Sequence, residues 1–176
     1  MKKIITIVLF ICISKIAIAQ ETNGINFPEN YFGVYTGSLN ISSERGNQQI
    51  PMEFHLNKTD TIGTYKYVLV YGENEKRQER NYFLIEKDAE KGNYVVDEDN
   101  GILLNAKVLE NKLYCIFEVE QSLLTTFITF EEDHLLFEIV YSNTSKKEMS
   151  GGQNDSIPAV ISYPLHVIQK AKLIKQ

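Results

Sequence analysis

The chain is poor in the residues that staple small folds. It has two cysteines, Cys12 and Cys115, among 176 residues. That excludes a disulfide-dense scaffold and any four-cysteine metal site. It has no Trp and only six Ala, against ten Tyr and nine Phe. This balance leans away from a helical bundle and toward sheet. Basic charge is in deficit, with 18 Lys and Arg against 23 Asp and Glu and a net charge of −5. A deficit of that sign argues against nucleic acid as a partner. Beyond the first twenty residues no stretch is apolar enough to form a membrane-spanning helix. What is present, 43% hydrophobic and 23% charged residues, fits one ordinary globular domain.

The N-terminus has the grammar of an address. Met1-Lys2-Lys3 supplies positive charge, and Ile4 to Ile13 is apolar apart from Thr6. Ala17-Ile18-Ala19 then sets small residues before Gln20. Charge, apolar run and small residues predict a signal peptide over residues 1–19, and so a secreted or periplasmic location. The apolar run is too short for a bilayer, which takes about 20 residues. Leu9-Phe10-Ile11 before Cys12 is not the small-residue approach of a lipid-modified cysteine. Removing residues 1–19 takes away Lys2, Lys3 and Lys15 and no acid, so 15 basic and 23 acidic residues remain, a net −8. Cys115 then has no intramolecular partner.

Residues 20–30 are polar and are expected to be a flexible leader, and residues 31–176 a single barrel domain. From Tyr31 the apolar residues recur with period two, the spacing of a half-buried strand. Tyr35, Leu39 and Ile41 open the series, followed by Ile50 to Leu56, Tyr65 to Tyr71, Arg80 to Lys87 and Gly92 to Asp97. Asn100-Gly101 predicts a tight hairpin turn. Ile102 to Val108, Leu113 to Val119, Leu123 to Phe130, Leu135 to Tyr141 and Leu165 to Leu173 complete ten expected strands. Asn143 to Pro158 breaks the rhythm and is expected to be one long mobile loop. Pro164 to Lys175 could also carry a helical stripe through Val167, Ala171 and Ile174. Short turns between strands favour an antiparallel meander. Ten such strands hide their edges most economically by closing into an all-β, up-and-down barrel. A sandwich is the alternative.

Phe32-Gly33-Val34-Tyr35-Thr36-Gly37 at the start of the first strand resembles the opening of calycin barrels, the group of lipocalins, fatty-acid-binding proteins and nitrobindins. In those families the motif is Gly-x-Trp, and here Tyr35 stands for the Trp. The resemblance implies a barrel with an interior cavity for a small apolar ligand. The opening motif, Asp97 to Leu104 and Ser162-Tyr163-Pro164 also resemble small secreted proteins of Bacteroidetes-type bacteria, which implies a cell-envelope location.

Candidate chemistry is sparse. By strand parity His55 and His166 fall on polar faces and His134 borders a turn, so no three-ligand metal site is expected. A nitrobindin-like resemblance would make His166 a heme ligand, which parity opposes. Asp97-Glu98-Asp99 lacks the spacing of a calcium loop and is expected to be a solvated turn. Cys115, among Leu113, Phe117 and Val119, is expected to be buried and inert. No nucleophile elbow or phosphate loop is present, and no catalytic residue, metal or cofactor is expected. Tyr65, Tyr67 and Tyr71 share one face of the third expected strand, with Tyr82 and Arg80 at matching parity on the fourth. Fatty-acid-type barrels use such an Arg-Tyr arrangement for a carboxylate. The expected ligand-binding wall is therefore Arg80, Tyr65, Tyr67, Tyr71 and Tyr82, with Leu69, Leu104 and Phe117. The expected function is non-enzymatic binding of a small, mostly apolar ligand. The alternative is an envelope protein-interaction module whose barrel is filled with side chains.

Overall fold

The computed structural model describes residues 26–176. The signal peptide reading and residues 20–25 of the leader lie outside them. Each alternating segment becomes a strand whose apolar side chains share one face. In chain order these are β1 (Gly33–Ser43), β2 (Gly46–Lys58), β3 (Thr64–Tyr71), β4 (Gln78–Asp88), β5 (Asn93–Asp97), β6 (Leu103–Leu109), β7 (Lys112–Val119), β8 (Ser122–Phe130) and β9 (His134–Asn143). A small hairpin, β10 (Glu148–Ser150) and β11 (Val160–Ser162), precedes β12 (Leu165–Lys175). β1 to β9 and β12 form a closed, ten-stranded antiparallel barrel in meander order. β12 closes it by pairing with β9 on one side and β1 on the other, from Tyr35 opposite Lys175 to Ser43 opposite Val167. The closing seam is tight. A Cβ at Gly37 would lie 2.6 Å from the Lys172 carbonyl oxygen, so a side chain there would push the two strands apart.

Residues 165–175 are strand, as expected, and not the alternative helix, because pairing on both flanks satisfies their backbone in a way an isolated helix could not. Other elements differ from expectation. The 143–158 segment is not one open loop. It holds a 3-10 turn at Thr144–Lys146 and the strand β10, paired with β11 so that Met149 faces Ile161. This hairpin leaves Met149 71% exposed. The Asn100-Gly101 turn is wider than two residues. The Glu98 N–H donates to the Ile102 carbonyl, and the Asp97 and Asn100 side chains accept from the Asp99 and Ile102 backbone. Short carboxylate and amide side chains thus replace the tight turn with side-chain-to-backbone bonds.

One end of the barrel is sealed by aromatic rings. The end of the expected leader is packed there, since Phe27 is buried, beside the buried Tyr31 that opens the expected barrel domain. Phe27 meets Tyr94 and Phe130 edge-on, each at 5.4 Å between ring centres. Tyr31 lies 5.2 Å from Phe130, and Phe54 lies 5.8 Å from it. The hydroxyls of this layer are satisfied. Tyr35 donates to the Tyr31 carbonyl at 2.7 Å, and Tyr94 to the Phe27 carbonyl at 3.2 Å. Each ring thus buries a large apolar body while its polar tip keeps a partner.

Phe130 touches three other rings of this plug, so truncating it removes shared packing. Phe130→Ala is expected to lower unfolding free energy by about 3–5 kcal/mol. Phe117→Ala, on a partly buried side chain farther from the plug, should cost roughly 1–2 kcal/mol. Urea unfolding of both variants checks the contrast, and equal losses would contradict it.

Candidate functional site

Above the plug the interior opens into a cavity of about 240 Å³. Seven of the eight expected wall residues line it: Tyr67, Leu69, Tyr71, Arg80, Tyr82, Leu104 and Phe117. Strand register brings them together. Tyr67 stands opposite Tyr82, and Leu69 opposite Arg80, in the β3–β4 pair. The Tyr67 and Tyr82 rings stack at 5.8 Å with a 27° tilt. Tyr65 is placed differently. It shares their face but sits two residues nearer the sealed end, where its hydroxyl donates to Glu29 at 2.9 Å. Parity assigns a face of the sheet, not a height along the barrel axis.

Reading the sequence missed part of the wall. Val96, Leu113, Leu124 and Ile139 line it, and their alternation could have found them. Glu98 also lines it, although its Asp97-Glu98-Asp99 setting looked like a solvated turn. Cys115 is buried as expected, on the cavity wall.

The polar groups are not spread evenly. Tyr67, Tyr71, Arg80, Tyr82 and Glu98 come from β3, β4 and the β5–β6 turn. The opposite wall, from β6 to β9, supplies Leu104, Leu113, Cys115, Phe117, Leu124 and Ile139, with Thr126 as its one hydroxyl. The cavity therefore has one side rich in hydrogen-bonding groups and one mostly apolar side. Burial raises the Tyr67, Tyr71 and Tyr82 phenols above their ordinary pKa, and Arg80 partly offsets this at Tyr71 and Tyr82. Burial, then Glu98, pushes the Cys115 thiol up to about 11. All four groups are thus protonated near neutral pH. The phenols are donors, and Cys115 is no thiolate nucleophile.

Hydrogen bonding separates these tyrosines from those of the plug. Tyr35, Tyr65 and Tyr94 each donate to a named partner. Among the described residues, the hydroxyls of Tyr67, Tyr71 and Tyr82 have no protein partner, although Tyr67 is only 4% exposed. Arg80 likewise forms no ion pair among the described residues. Among the described residues no fully buried side-chain oxygen or nitrogen lacks a partner, so these hydroxyls open onto the cavity, and Arg80 is exposed at its rim.

The histidines lie apart. His55 pairs with Glu53 at 2.7 Å, and His134 with Asp133. His166 departs from its parity. A β-bulge between Leu165 and Val167 makes it the extra residue opposite β9. It is half-buried, with its ring 5.9 Å from Tyr141, and lines a separate recess with Ile41, Gln48 and Val167.

Tyr67→Phe removes a hydroxyl that has no partner, so stability should stay level or rise by up to about 1 kcal/mol. Tyr35→Phe removes a satisfied one and should lower stability by about 1 kcal/mol. Thermal or urea unfolding of the pair checks the opposite signs. The Cys115 thiol gives a pH prediction. Its folded pKa lies above the unfolded value, so the folded state keeps the proton longer and stability falls as pH rises from about 9 to about 11. Cys115→Val should lose roughly 2 kcal/mol of that decline in urea unfolding across this window.

No family model matches the chain, and no curated protein matches it. Among solved structures, the chain is similar to a protein of unknown function from the DUF3598 family of Nostoc punctiforme PCC 73102, at 11% sequence identity and a TM-score of 0.49. The match covers 84% of this chain and 48% of that one, so this chain spans about half the length of its structural neighbour.

Proposed function

We propose that the protein is a secreted or periplasmic, lipocalin-like barrel that binds a small, mostly apolar ligand without transforming it. The observation that carries this reading is one mostly apolar cavity of about 240 Å³ onto which three phenols and the Arg80 side chain open. The apolar wall would give affinity through burial, at about 25 cal/mol per Å². Tyr67, Tyr82 and Arg80 would set orientation, as the few polar groups of an apolar pocket commonly do. The opening motif around Gly33 and Tyr35 supports a calycin-like barrel, and the N-terminal pattern supports export. A cavity of about 240 Å³ fits this reading better than the competing one, an interaction module with a filled interior.

The test uses an anionic aromatic probe, benzoate or a larger aryl carboxylate, titrated calorimetrically into the chain from residue 20 onward. Arg80→Ala should weaken binding by about 10-fold, the value of one charge-assisted hydrogen bond. Leu124→Arg, which puts a charge on the apolar wall, should abolish it. Binding that survives both changes unaltered would place the ligand elsewhere and overturn the proposal.

A further inference from the structure

Given that binding function, on which this step rests, we infer that the apolar ligand enters and leaves through the side of the barrel, between the mouth-side halves of β6 and β7, and not over the open end.

Strand register locates the opening. β6 runs from Leu103 to Leu109 and β7 from Lys112 to Val119, yet the two pair only from Ala106 opposite Cys115 to Leu109 opposite Lys112. Residues 103–105 and 116–118 face each other as strands without pairing. Their outer flanks are held, since Leu103 pairs with Asp97 on β5 and Glu118 with Leu123 on β8. The hairpin is therefore closed at its turn and parted above it, over three residues or about 10 Å of strand. Among the described barrel strands this is the one place where two extended neighbours run side by side unpaired. β2 and β4 also outrun a neighbour, but opposite residues 46–50 and 78–82 the chain has already turned away.

The slot is apolar from outside to inside. Leu104 and Phe117, one from each parted strand, point inward and line the cavity. Leu103 and Ile116 alternate with them and point outward, where they are 61% and 63% exposed. Ile102 and Val119, at the upper ends of the slot, are exposed as well. On β1 to β5, by contrast, no Leu, Ile, Val, Met, Phe or Tyr is exposed. An apolar path thus runs from the outer surface, through the parted wall, to the mostly apolar side of the cavity. The way over the open end passes Arg80 and Glu98, with the exposed Glu79 and Asp99 next to them in the chain.

The parted strands also make this the easiest part of the wall to widen. Elsewhere, separating two strands breaks the cross-strand hydrogen bonds that hold them. Between residues 103–105 and 116–118 no ladder has to break, so a local opening costs less there. The Ala106–Cys115 pair sets the foot of the slot.

The experiment follows N-phenyl-1-naphthylamine, an uncharged probe that brightens in apolar surroundings, binding to the chain from residue 20 by stopped-flow fluorescence. Ile116→Asp puts a charge on an outward lip without touching the cavity. It should slow association and dissociation alike, each by about 10-fold, and so leave the dissociation constant within about twofold. Glu75→Lys, a charge change in the β3–β4 turn at the open end, should leave both rates unchanged. A second variant places Leu103→Cys and Glu118→Cys, opposite each other by the register of the paired half, in a Cys115→Val background. Its disulfide draws the lips together, and should slow both rates until it is reduced. Rates untouched by Ile116→Asp, or by the formed disulfide, would overturn the lateral route and leave the binding function standing. Rates that respond to Glu75→Lys more than to Ile116→Asp would do the same, and would place entry at the open end. A probe that does not bind the unaltered chain would count against the binding function and take the route with it.

Discussion

The pairing of β1 with β12 is the interaction on which the rest of the structure depends. Without it the meander is an open sheet with two edges of unpaired N–H and C=O groups, ready to pair with another chain. With it every barrel strand has two neighbours, and the apolar faces turn onto a shared axis. The seam is built for close approach. Gly37 has no side chain to hold Lys172 away, and the Gln176 amide reaches Thr36 at 2.8 Å to fasten the end of the chain across it.

Closure creates an interior, and the interior is used in two ways. One end is filled by rings that contact each other and bond their hydroxyls to nearby carbonyls or to Glu29. That end supplies the packing energy that holds a domain with no disulfide. The other end gives up packing. It leaves a cavity, a raised thiol and phenols without protein partners. Packing is concentrated at the plug, and the polar groups that open onto the cavity lie toward the other end.

Much of the fold was legible because alternation is a local signal. A residue's face follows from its neighbours two positions away, so ten strands and the inward face of Tyr67, Leu69, Leu104 and Cys115 could be read along the chain. The misreadings have particular causes. Phe27 seals the barrel from a segment with no alternation, so nothing local marked it as core. Tyr65 and Tyr67 share a face and a strand, yet one bonds Glu29 at the plug and the other lines the cavity. His166 left its predicted face because a bulge adds one residue, and parity arguments fail across a bulge.

By itself the amino-acid order determined the strand class, the inward face of most strands, the acidic balance and the kinds of side chain on offer for a site. The tertiary structure alone decided that the sheet closes, which end is plugged, how high each inward residue sits, and which tyrosines find partners. The reason is range. Period-two patterning acts over a few residues, whereas closure brings together groups as far apart as Thr36 and Gln176, 140 positions along the chain. Height, partner and cavity follow from that long-range register, and no local pattern encodes it.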